Sequence, residues 1–394
     1  MAHTSLAWQD ASDARELGAQ VREYAREVLT PEAEAWGERH EVCPAVVQAM
    51  GASELFALAT TDRYEGSWAR TNTWTAHSVV REALAIENSA VEEVYTIQSL
   101  GLHPIGLLGS PEQHERWLGP LLAGQKLAAF ALTEPDAGSD LGRLSTTATR
   151  DGDGWRLSGV KTFISHAPDA DVYVVFARHP VADGQKRRTS AFVVEKGMEG
   201  LQLEPSMELL APHALGTVRL EDCHVGADAL LGEEGTGLRL ALKSLEYFRP
   251  SVGARAVGLA RRGLSLATEW SRERETFGAN MIDHDVVAFK LAEMAIRIQA
   301  ARASVYAAAS RADQGHSIAF EGSIAKAYAT EAAQWVAYEA QQLFGGRGVT
   351  AGHPAEELYR QVRAMTIYEG SSEVQRMIIA GRIRSESTDA LWPF

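Results

Sequence analysis

The pattern of the chain changes within residues 126–140, which read KLAAFALTEPDAGSD. A short apolar run at residues 127–132 is followed by residues 133–140, in which proline, glycine and aspartate forbid regular structure. Such a segment exposes backbone amides and hydroxyl groups. Before it the sequence has the periodicity of helices, and after it the sequence has the alternation of strands. The stretch therefore separates a helical part of the chain from a β part.

The part before this stretch is predicted to be helical. Segments 44–58 and 76–99 are rich in alanine, leucine, valine and glutamate. Near Ser110 a further helix is predicted to begin, because a hydroxyl residue is followed by a proline and then by an acidic residue in the first turn. We predict an N-terminal helical domain over residues 1–125.

The part after residue 126 has the pattern of strands. Runs at Asp171–Arg178 and Thr189–Glu195 are rich in β-forming residues, and Gly216–Val225 alternates through Val218 and Leu220. Clusters of glycine and aspartate lie between such runs and are typical of turns. We predict a middle β-domain over residues 126–235.

Helical periodicity returns after Gly237 and continues to the end of the chain. One apolar stripe recurs at helical spacing through Val287, Leu291, Met294 and Ile298. A second long helix is predicted over Ser317–Leu343. Several nearly apolar helices of this kind favour a bundle and a subunit interface, so we predict a C-terminal helical bundle over residues 236–394. The predicted fold class is mainly α with a central β-domain.

Composition narrows the functional classes. The formal net charge is −14 and the sequence pI is about 5.4, which argues against non-specific binding to nucleic acid or to an anionic membrane. No apolar run is long enough to span a bilayer. Cys43 and Cys223 form no disulfide framework, and no His or Cys spacing supports a metal site, so we expect no metal. The first twenty residues lack an apolar signal core, and we expect a cytoplasmic protein.

Residues 366–375, which read TIYEGSSEVQ, contain the candidate catalytic group. A carboxylate at Glu369, held in a turn between aromatic and glycine residues, can be partly desolvated, and this raises its pKa toward that of a useful general base. The alternative is a solvated turn residue. The spacing of Ser372 and Gln375 predicts a capping box that opens the last long helix.

Four segments, taken in order, carry a family resemblance. They are FALTEPDAGSD at 130–140 with KTFIS at 161–165, Arg249, RETFG at 274–278, and QLFGGRG at 342–348 with IYEGSS at 367–372. Together they resemble the acyl-CoA dehydrogenase family over nearly the whole chain. The resemblance implies an N-terminal helical domain, a middle β-barrel or sandwich and a C-terminal four-helix bundle. It also implies FAD as cofactor and α,β-dehydrogenation of an acyl-CoA thioester to the trans-2-enoyl-CoA.

The resemblance also implies a role for individual residues. Glu369 matches the base, and the β-hydrogen would leave as hydride to flavin N5. Some members place the base immediately before the arginine of the second segment, but this chain has Phe248 there, which cannot serve. Residues 207–216 depart from the family, because they lack its usual Gly-x-Arg-x-Ser pattern.

The implied binding residues fall into three groups. The residues along the flavin ring and pyrophosphate are Phe130, Leu132, Thr133, Ser139, Phe163 and Ser165. The residues that reach the ADP half of a neighbouring subunit's FAD are Arg274, Phe277, Gln342 and Gly346, while Ser371 and Glu373 match contacts after the base turn. The implied substrate contacts are Ser139, Glu246, Arg249, Tyr368 and Gly370.

The implied partners are an electron-transferring flavoprotein as electron acceptor and further copies of the chain in a homotetramer. Three alternatives remain on the same fold. The substrate could be an acyl thioester on a carrier protein in secondary metabolism, or the protein could be a flavin oxidase or monooxygenase. It could also be a nucleic-acid-associated member, which the acidic charge disfavours. Glu369 favours thioester chemistry over the oxidases and monooxygenases.

Overall fold

The computed structural model of the chain describes residues 13–59, 74–180, 188–204 and 207–391. These residues form two compact units. Apart from those gaps, the first unit comprises residues 26–59 and 93–245, and the second comprises residues 13–25, 74–92 and 246–391.

The described residues before 126 are mainly helical. Within the described ranges they are α1 (Ala14–Tyr24), α2 (Thr30–Trp36), α3 (Pro44–Ala52), α4 (Trp74–Glu87), α5 (Ser89–Leu108), α6 (Pro111–Gln113) and α7 (Gly119–Leu122). The predicted helix start near Ser110 is confirmed. The Ser110 hydroxyl accepts from the Gln113 N–H at 3.2 Å, and the Gln113 side chain accepts from the Ser110 N–H at 2.8 Å.

The strands of the first unit form one sheet. They are β1 (Ala128–Ala131), β2 (Thr147–Asp151), β3 (Gly154–Ser165), β4 (Val172–Arg178), β5 (Thr189–Glu195), β6 (Leu201–Glu204), β7 (Leu215–Val225) and β8 (Leu230–Leu231). Their order is β6-β7-β3-β2-β4-β5-β8, and β1 pairs with β4 in parallel. The first six residues of both β4 and β5 are buried, which explains their nearly continuous apolar sequence. The predicted strands are confirmed.

The core of the first unit is packed around large aromatic residues. Trp155 and Phe192 lie edge to face with ring centroids 5.4 Å apart. The buried Tyr173 hydroxyl donates to the carbonyl oxygens of Ala167 at 2.6 Å and Ala170 at 2.8 Å, so its polar end is satisfied. Such a core gives β3 and its neighbours a rigid support.

Helices return after the sheet. They are α8 (Gly237–Glu273), α9 (Asp285–Asp313), α10 (Ala319–Phe344), α11 (Pro354–Arg363), α12 (Ser372–Ser385) and α13 (Thr388–Leu391), with a short hairpin of β9 (Glu275–Thr276) and β10 (Ala279–Asn280) after α8. The four residues of the predicted stripe on α9 are buried in the apolar core of the second unit, together with side chains of α10 and α11. In chain order the architecture is helical, then β, then helical, as predicted.

Within the described ranges, no helix is long and apolar enough to cross a membrane. In the same ranges, no group of three or more His, Cys, Asp or Glu side chains is arranged to hold a metal ion.

Candidate active site

The turn that carries Glu369 has an unusual backbone. It lies between a short 3-10 helix (Ala364–Thr366) and α12. Glu369 has φ of 52° and Gly370 has φ of 90°. A glutamate with a left-handed backbone conformation is uncommon and persists only where the surrounding structure holds it. Residues with such strained backbones cluster at functional sites.

Two buried side chains hold this turn. Lys326 Nζ donates to the Gly370 carbonyl oxygen at 2.7 Å, and Gln375 Nε2 donates to the same oxygen at 2.8 Å and to the Glu369 oxygen at 3.4 Å. Both side chains are fully buried. The predicted capping box is wrong, because Ser371 is the N-cap and accepts from the Val374 N–H at 3.4 Å, while the Gln375 side chain bonds the turn instead.

The Glu369 side chain is half-buried, and several charged groups lie near its carboxylate. Its Oε2 atom has no hydrogen-bond partner among the described residues. Burial raises the pKa of Glu369, and the nearby cations Arg81, Lys326 and Arg249 oppose that rise. Burial also lowers the pKa of Lys326 to about 8, against the attraction of Glu369. The carboxylate is thus a stronger base than an exposed glutamate.

A buried ionic cluster lies near this carboxylate. Arg81 Nε donates to Glu92 at 2.7 Å, Arg81 Nη1 donates to the Ser251 hydroxyl at 2.7 Å, and Arg255 Nε lies 3.1 Å from the second Glu92 oxygen. The Tyr368 hydroxyl is buried without a hydrogen-bond partner among the described residues. Burial raises the pKa of Tyr368, and Arg255, Glu92 and Arg81 all act on it electrostatically.

The sequence reasoning missed this cluster. Its only sequence signal is the presence of charged residues inside otherwise apolar helical segments, and such residues are usually assigned to a solvated face. Their complete burial becomes visible only once α4, α5 and α8 are packed together around them.

Three predicted positions on α8 have different surroundings. Arg249 is 7% exposed, and its Nε atom finds no hydrogen-bond partner within the described ranges. Phe248 packs edge to face on Trp74 with ring centroids 5.6 Å apart, so the alternative base position is apolar core. The Glu246 carboxylate accepts from the Ser317 hydroxyl and the Ile318 N–H, both at 2.7 Å, and so holds the start of α10.

In the first unit, the two parts of the first motif lie together. Thr162 N–H donates to the Thr133 carbonyl oxygen at 3.0 Å, and Lys161 Nζ donates to the Leu132 oxygen at 3.2 Å. Lys161 also forms a buried ion pair with Glu134 at 2.7 Å. The ion pair fixes the segment containing Leu132 and Thr133 against the segment containing Phe163 and Ser165.

Phe163 is presented outward by a strained backbone. Its φ is 53°, it is 59% exposed, and it lies where the register of β3 against β7 shifts between Lys161 and Ile164. Bulges of this kind re-aim side chains next to active sites. Of the other predicted flavin residues, Phe130 is half-buried against Phe176 and Ser139 is exposed.

The predicted ADP-binding residues lie on an exposed part of the second unit. The guanidinium groups of Arg274 and Arg347 lie 6.0 and 5.0 Å from the Trp270 ring centroid, and Phe344 stacks on that ring at 5.4 Å. Gln342 and Gly346 are exposed nearby in sequence, at the end of α10 and in the following 3-10 helix. Arg347 was not singled out from the sequence.

Phe277 lies at the tip of the β9–β10 hairpin with φ of 52°, and its side chain is fully exposed. Among non-glycine residues of the described ranges, six have positive φ, and three of them are the predicted site residues Phe163, Phe277 and Glu369. Ser371 caps α12, and Glu373 is exposed on its first turn.

Comparison with known proteins defines the class. Sequence profiles of the acyl-CoA dehydrogenase N-terminal, middle and C-terminal domains match residues 11–125, 129–223 and 235–384. The human short-chain specific acyl-CoA dehydrogenase, mitochondrial, is 35% identical over 365 residues, which are 92% of this chain and 88% of the relative. The solved butyryl-CoA dehydrogenase of Megasphaera elsdenii is 30% identical with a TM-score of 0.87, over 93% of this chain and 97% of the other.

A chain in the solved structure described as the electron transferring flavoprotein of Acidaminococcus fermentans is also similar. It is 30% identical with a TM-score of 0.86, over 97% of this chain and 98% of the other. This chain belongs to the acyl-CoA dehydrogenase family. It is an oxidoreductase with acyl-CoA dehydrogenase activity and with FAD as its cofactor, as the sequence predicted.

The residues present fit that cofactor. An exposed aromatic ring at Phe163 offers a stacking surface for a flavin, and two guanidinium groups at Arg274 and Arg347 suit a pyrophosphate beside an aromatic ring. The buried carboxylate oxygen of Glu369, without a protein partner among the described residues, suits a proton acceptor.

Proposed function

We propose that this protein oxidises a short-chain acyl-CoA to the trans-2-enoyl-CoA and that Glu369 removes the α-proton. One observation carries the base assignment: the buried Oε2 atom of Glu369, which no hydrogen bond from the described residues occupies. A buried acceptor left without a partner is costly, so such an atom is expected to meet a ligand or a proton in its working state.

The turn supplies two groups to the reaction. The Glu369 carboxylate accepts the α-proton, and its raised pKa makes it a stronger acceptor than an exposed glutamate. The Glu369 N–H makes no hydrogen bond within the described ranges and is available to donate to the thioester carbonyl, where enolate charge develops. Bound FAD supplies the acceptor for the β-hydrogen as hydride.

The short-chain assignment has two supports. The human relative is named for short-chain substrates and the Megasphaera elsdenii relative for butyryl-CoA. In addition, the buried cluster of Arg81, Glu92 and Arg255 acts electrostatically on Tyr368, next to the base. Because Arg81 and Glu92 are fully buried against each other, the space that they fill is closed to a long alkyl chain.

We assign the remaining site residues on the family resemblance of the motifs that contain them. Arg249, Tyr368 and Gly370 surround the thioester and acyl group beside the base, with Ser139 and Glu246 as further substrate contacts. The flavin ring lies along Phe130, Leu132, Thr133, Ser139, Phe163 and Ser165. Arg274, Phe277, Gln342 and Gly346 reach the ADP half of FAD in a neighbouring copy, and Ser371 and Glu373 contact the cofactor after the base turn.

Partners follow from these assignments. Sharing of FAD between copies requires an oligomer, and we propose a homotetramer of a cytoplasmic protein with three domains at 1–125, 126–235 and 236–394. An electron-transferring flavoprotein is the proposed acceptor, supported by the similar chain in the Acidaminococcus fermentans structure. Sedimentation of the FAD-loaded protein tests the oligomer, and reoxidation by a purified electron-transferring flavoprotein tests the acceptor.

The deciding experiment is anaerobic flavin reduction by acyl-CoA in stopped flow. Glu369→Gln is expected to keep bound FAD and to lose about 10²–10⁴-fold in reduction rate, which is the usual contribution of a general base. Glu221→Gln, at an exposed carboxylate of the first unit, is the matched control and is expected to react at the original rate. Unchanged reduction in Glu369→Gln would remove the residue from the base role.

The same assay separates substrate carriers and chain lengths. Butyryl, hexanoyl and octanoyl thioesters are compared on CoA and on an acyl carrier protein, and the acetyl thioester, which has no β-carbon to oxidise, is the blank. We expect the fastest reduction with the butyryl or hexanoyl group on CoA. Faster reduction by the carrier-protein thioesters would favour the secondary-metabolism alternative, and reduction by an amine or nitroalkane but by no thioester would favour an oxidase or monooxygenase.

A further inference from the structure

Three side chains of the first unit form a chain of polar contacts. Ser165 Oγ lies 2.7 Å from His213 Nε2, and His213 Nδ1 lies 3.1 Å from Glu93 Oε2. Ser165 ends β3, Glu93 lies on α5, and His213 lies in the segment before β7. His213 is 15% exposed at its side chain and Glu93 is 21% exposed, so water reaches the contacts only in part.

The contacts of Glu93 with His213 and of His213 with Ser165 indicate where the ring proton and the hydroxyl proton lie. A carboxylate oxygen accepts a hydrogen bond only, so Glu93 selects the histidine tautomer with its proton on Nδ1. In this neutral tautomer His213 Nε2 is an acceptor, and the Ser165 hydroxyl donates to it. The Ser165 oxygen keeps its lone pairs for another donor. The same carboxylate–histidine–serine arrangement of hydrogen bonds orients the serine hydroxyl of hydrolytic triads.

The other titratable group facing this chain is His166. It is buried, and its ring nitrogen Nδ1 lies 3.3 Å from the Ala128 carbonyl oxygen. Burial lowers the pKa of His166 to about 3, and His213 adds to that effect. His166 is therefore neutral near pH 7 and places no positive charge beside His213.

The histidine is a departure of this chain. It lies in the stretch 207–216, where the family's Gly-x-Arg-x-Ser pattern is missing. The hydrogen bonds and ion pairs described above for the base turn and for the ionic cluster around Arg81 do not include it. Its contact to Ser165 connects it to a position where the family resemblance implies a hydroxyl group that bonds near flavin N5.

We propose that Glu93 and His213 hold the Ser165 hydroxyl as a hydrogen-bond acceptor toward flavin N5, which makes His213 a positioning residue that favours the reduced cofactor. The proposal rests on the cofactor role of Ser165 in the proposed function. Oxidised flavin has a lone pair at N5 and accepts a hydrogen bond, whereas two-electron-reduced flavin carries an N–H there and donates one. A serine oxygen that can only accept therefore matches the reduced form.

The expected effect is on the reduction potential of bound FAD, which is measured without any substrate. One hydrogen bond gained in one redox state changes the equilibrium by about ten-fold. For a two-electron couple this corresponds to about 30 mV. In His213→Leu the Ser165 hydroxyl is free to turn and to donate to oxidised N5, so the potential is expected to fall by about that amount.

A double-mutant cycle separates positioning from a general structural effect. In a Ser165→Ala background, His213→Leu is expected to cause no further shift, because the hydroxyl that it orients is absent. His224→Leu, at an exposed histidine on β7, is the matched control and is expected to leave the potential unchanged. Glu93→Leu, which removes the acceptor for His213 Nδ1–H, is the second variant and keeps the test open if His213→Leu does not retain FAD.

The outcomes are distinct. A fall of about 30 mV in His213→Leu or Glu93→Leu that vanishes in the Ser165→Ala background supports the proposal. An unchanged potential, or the same shift with and without Ser165, overturns it. An unchanged potential in Ser165→Ala itself also overturns it, because the hydroxyl would then not contact the flavin. Loss of the base role of Glu369 in the kinetic assay would leave this measurement untouched.

Discussion

Lys326 Nζ donates a 2.7 Å hydrogen bond to the carbonyl oxygen of Gly370, the residue after the proposed base. The amine thus contacts the backbone of the turn while its charge acts on the Glu369 carboxylate. Gln375 donates to the same oxygen without carrying a charge. The two donors make it possible to separate the geometry of the turn from its electrostatics.

Lys326→Met is expected to lower the rate of flavin reduction by about 10²-fold, the scale of a small misplacement of a catalytic group. It also removes a cation that lowers the pKa of Glu369, so the acid limb of the rate profile should move to higher pH. Gln375→Leu should lower the rate but leave that limb in place. Lys196→Met, at an exposed amine, is the control, and identical profiles for all four proteins would contradict the assignment.

The pH dependence of the wild-type reaction follows from the sign of the shift at Glu369. Burial raises the pKa of this carboxyl above its ordinary value of 4.5. The base works only when ionised, so the reduction rate should fall as the pH drops through the raised pKa. Arg81→Met should move this limb higher still, because a guanidinium that favours the ionised form is lost. A profile that stays flat down to pH 4.5 would count against Glu369.

The same shift makes Glu369 a destabilising group at neutral pH. A carboxyl whose pKa is higher in the folded state contributes stability that is present below its unfolded pKa and is lost as the pH rises through its folded pKa. Glutamine does not ionise, so Glu369→Gln does not lose stability as the pH rises. The FAD-loaded variant should therefore unfold at a higher urea concentration than wild type at pH 8. The difference should shrink toward pH 4. A lower unfolding midpoint at pH 8 would show that the carboxylate is net stabilising.

The buried ion pair of Lys161 and Glu134 joins the two parts of the first flavin motif. Burial alone would raise the pKa of Glu134, but Lys161 and hydrogen bonds from Thr146 and Ser145 lower it to about 2. The ionised Glu134 carboxylate therefore contributes stability at pH values above its ordinary pKa of 4.5, and this contribution is lost as the pH falls toward 2. Removing one partner of such a pair costs about 3–5 kcal/mol.

Lys161→Met should accordingly lower the free energy of unfolding and weaken FAD binding. The double variant Lys161→Met with Glu134→Leu should recover much of the stability, because no uncompensated charge is left buried. Urea unfolding at pH 7 measures both. A single variant as stable as wild type would show that the pair does not hold this segment.

Arg274 offers a test of the ADP assignment. Loss of a charge-assisted contact to a phosphate should weaken FAD binding by about ten-fold or more. Arg274→Met is compared with Arg156→Met, an exposed arginine on β3 that takes no part in the proposed site. Equal FAD retention during dialysis in both variants would remove Arg274 from the site.

Much of the fold follows from periodicity. The stripe on α9 and the apolar runs of β4 and β5 are buried as their patterns predict. The spacing of apolar residues along a helix or strand indicates which of its faces is buried. The helix start before α12 was misassigned by one residue. Either Ser371 or Ser372 could act as the N-cap of α12. Which of them does so depends on the positive φ angles of the turn before them, and these cannot be predicted from the sequence.

The position of the proposed base, Glu369, could be predicted from a motif, but the residues around it could not. Arg81, Glu92 and Arg255 come from three helices, and a charged residue in a helix is ordinarily solvated, so nothing local marks them as buried. His213 and Ser165 are distant in sequence and meet only across the sheet. Such contacts depend on how the elements pack. The pattern of a single sequence predicts which face of an element is buried, but not which residues of other elements lie against it.

The positive φ angles of Phe163, Phe277 and Glu369 have a consequence for laboratory evolution. Glycine would relax the backbone at each position, and selection for thermal robustness alone would reward that exchange. Each such step would delete a side chain assigned to cofactor or substrate. Libraries screened only for solubility or heat resistance should therefore drift toward well-folded, inactive proteins, and these three codons should be held fixed.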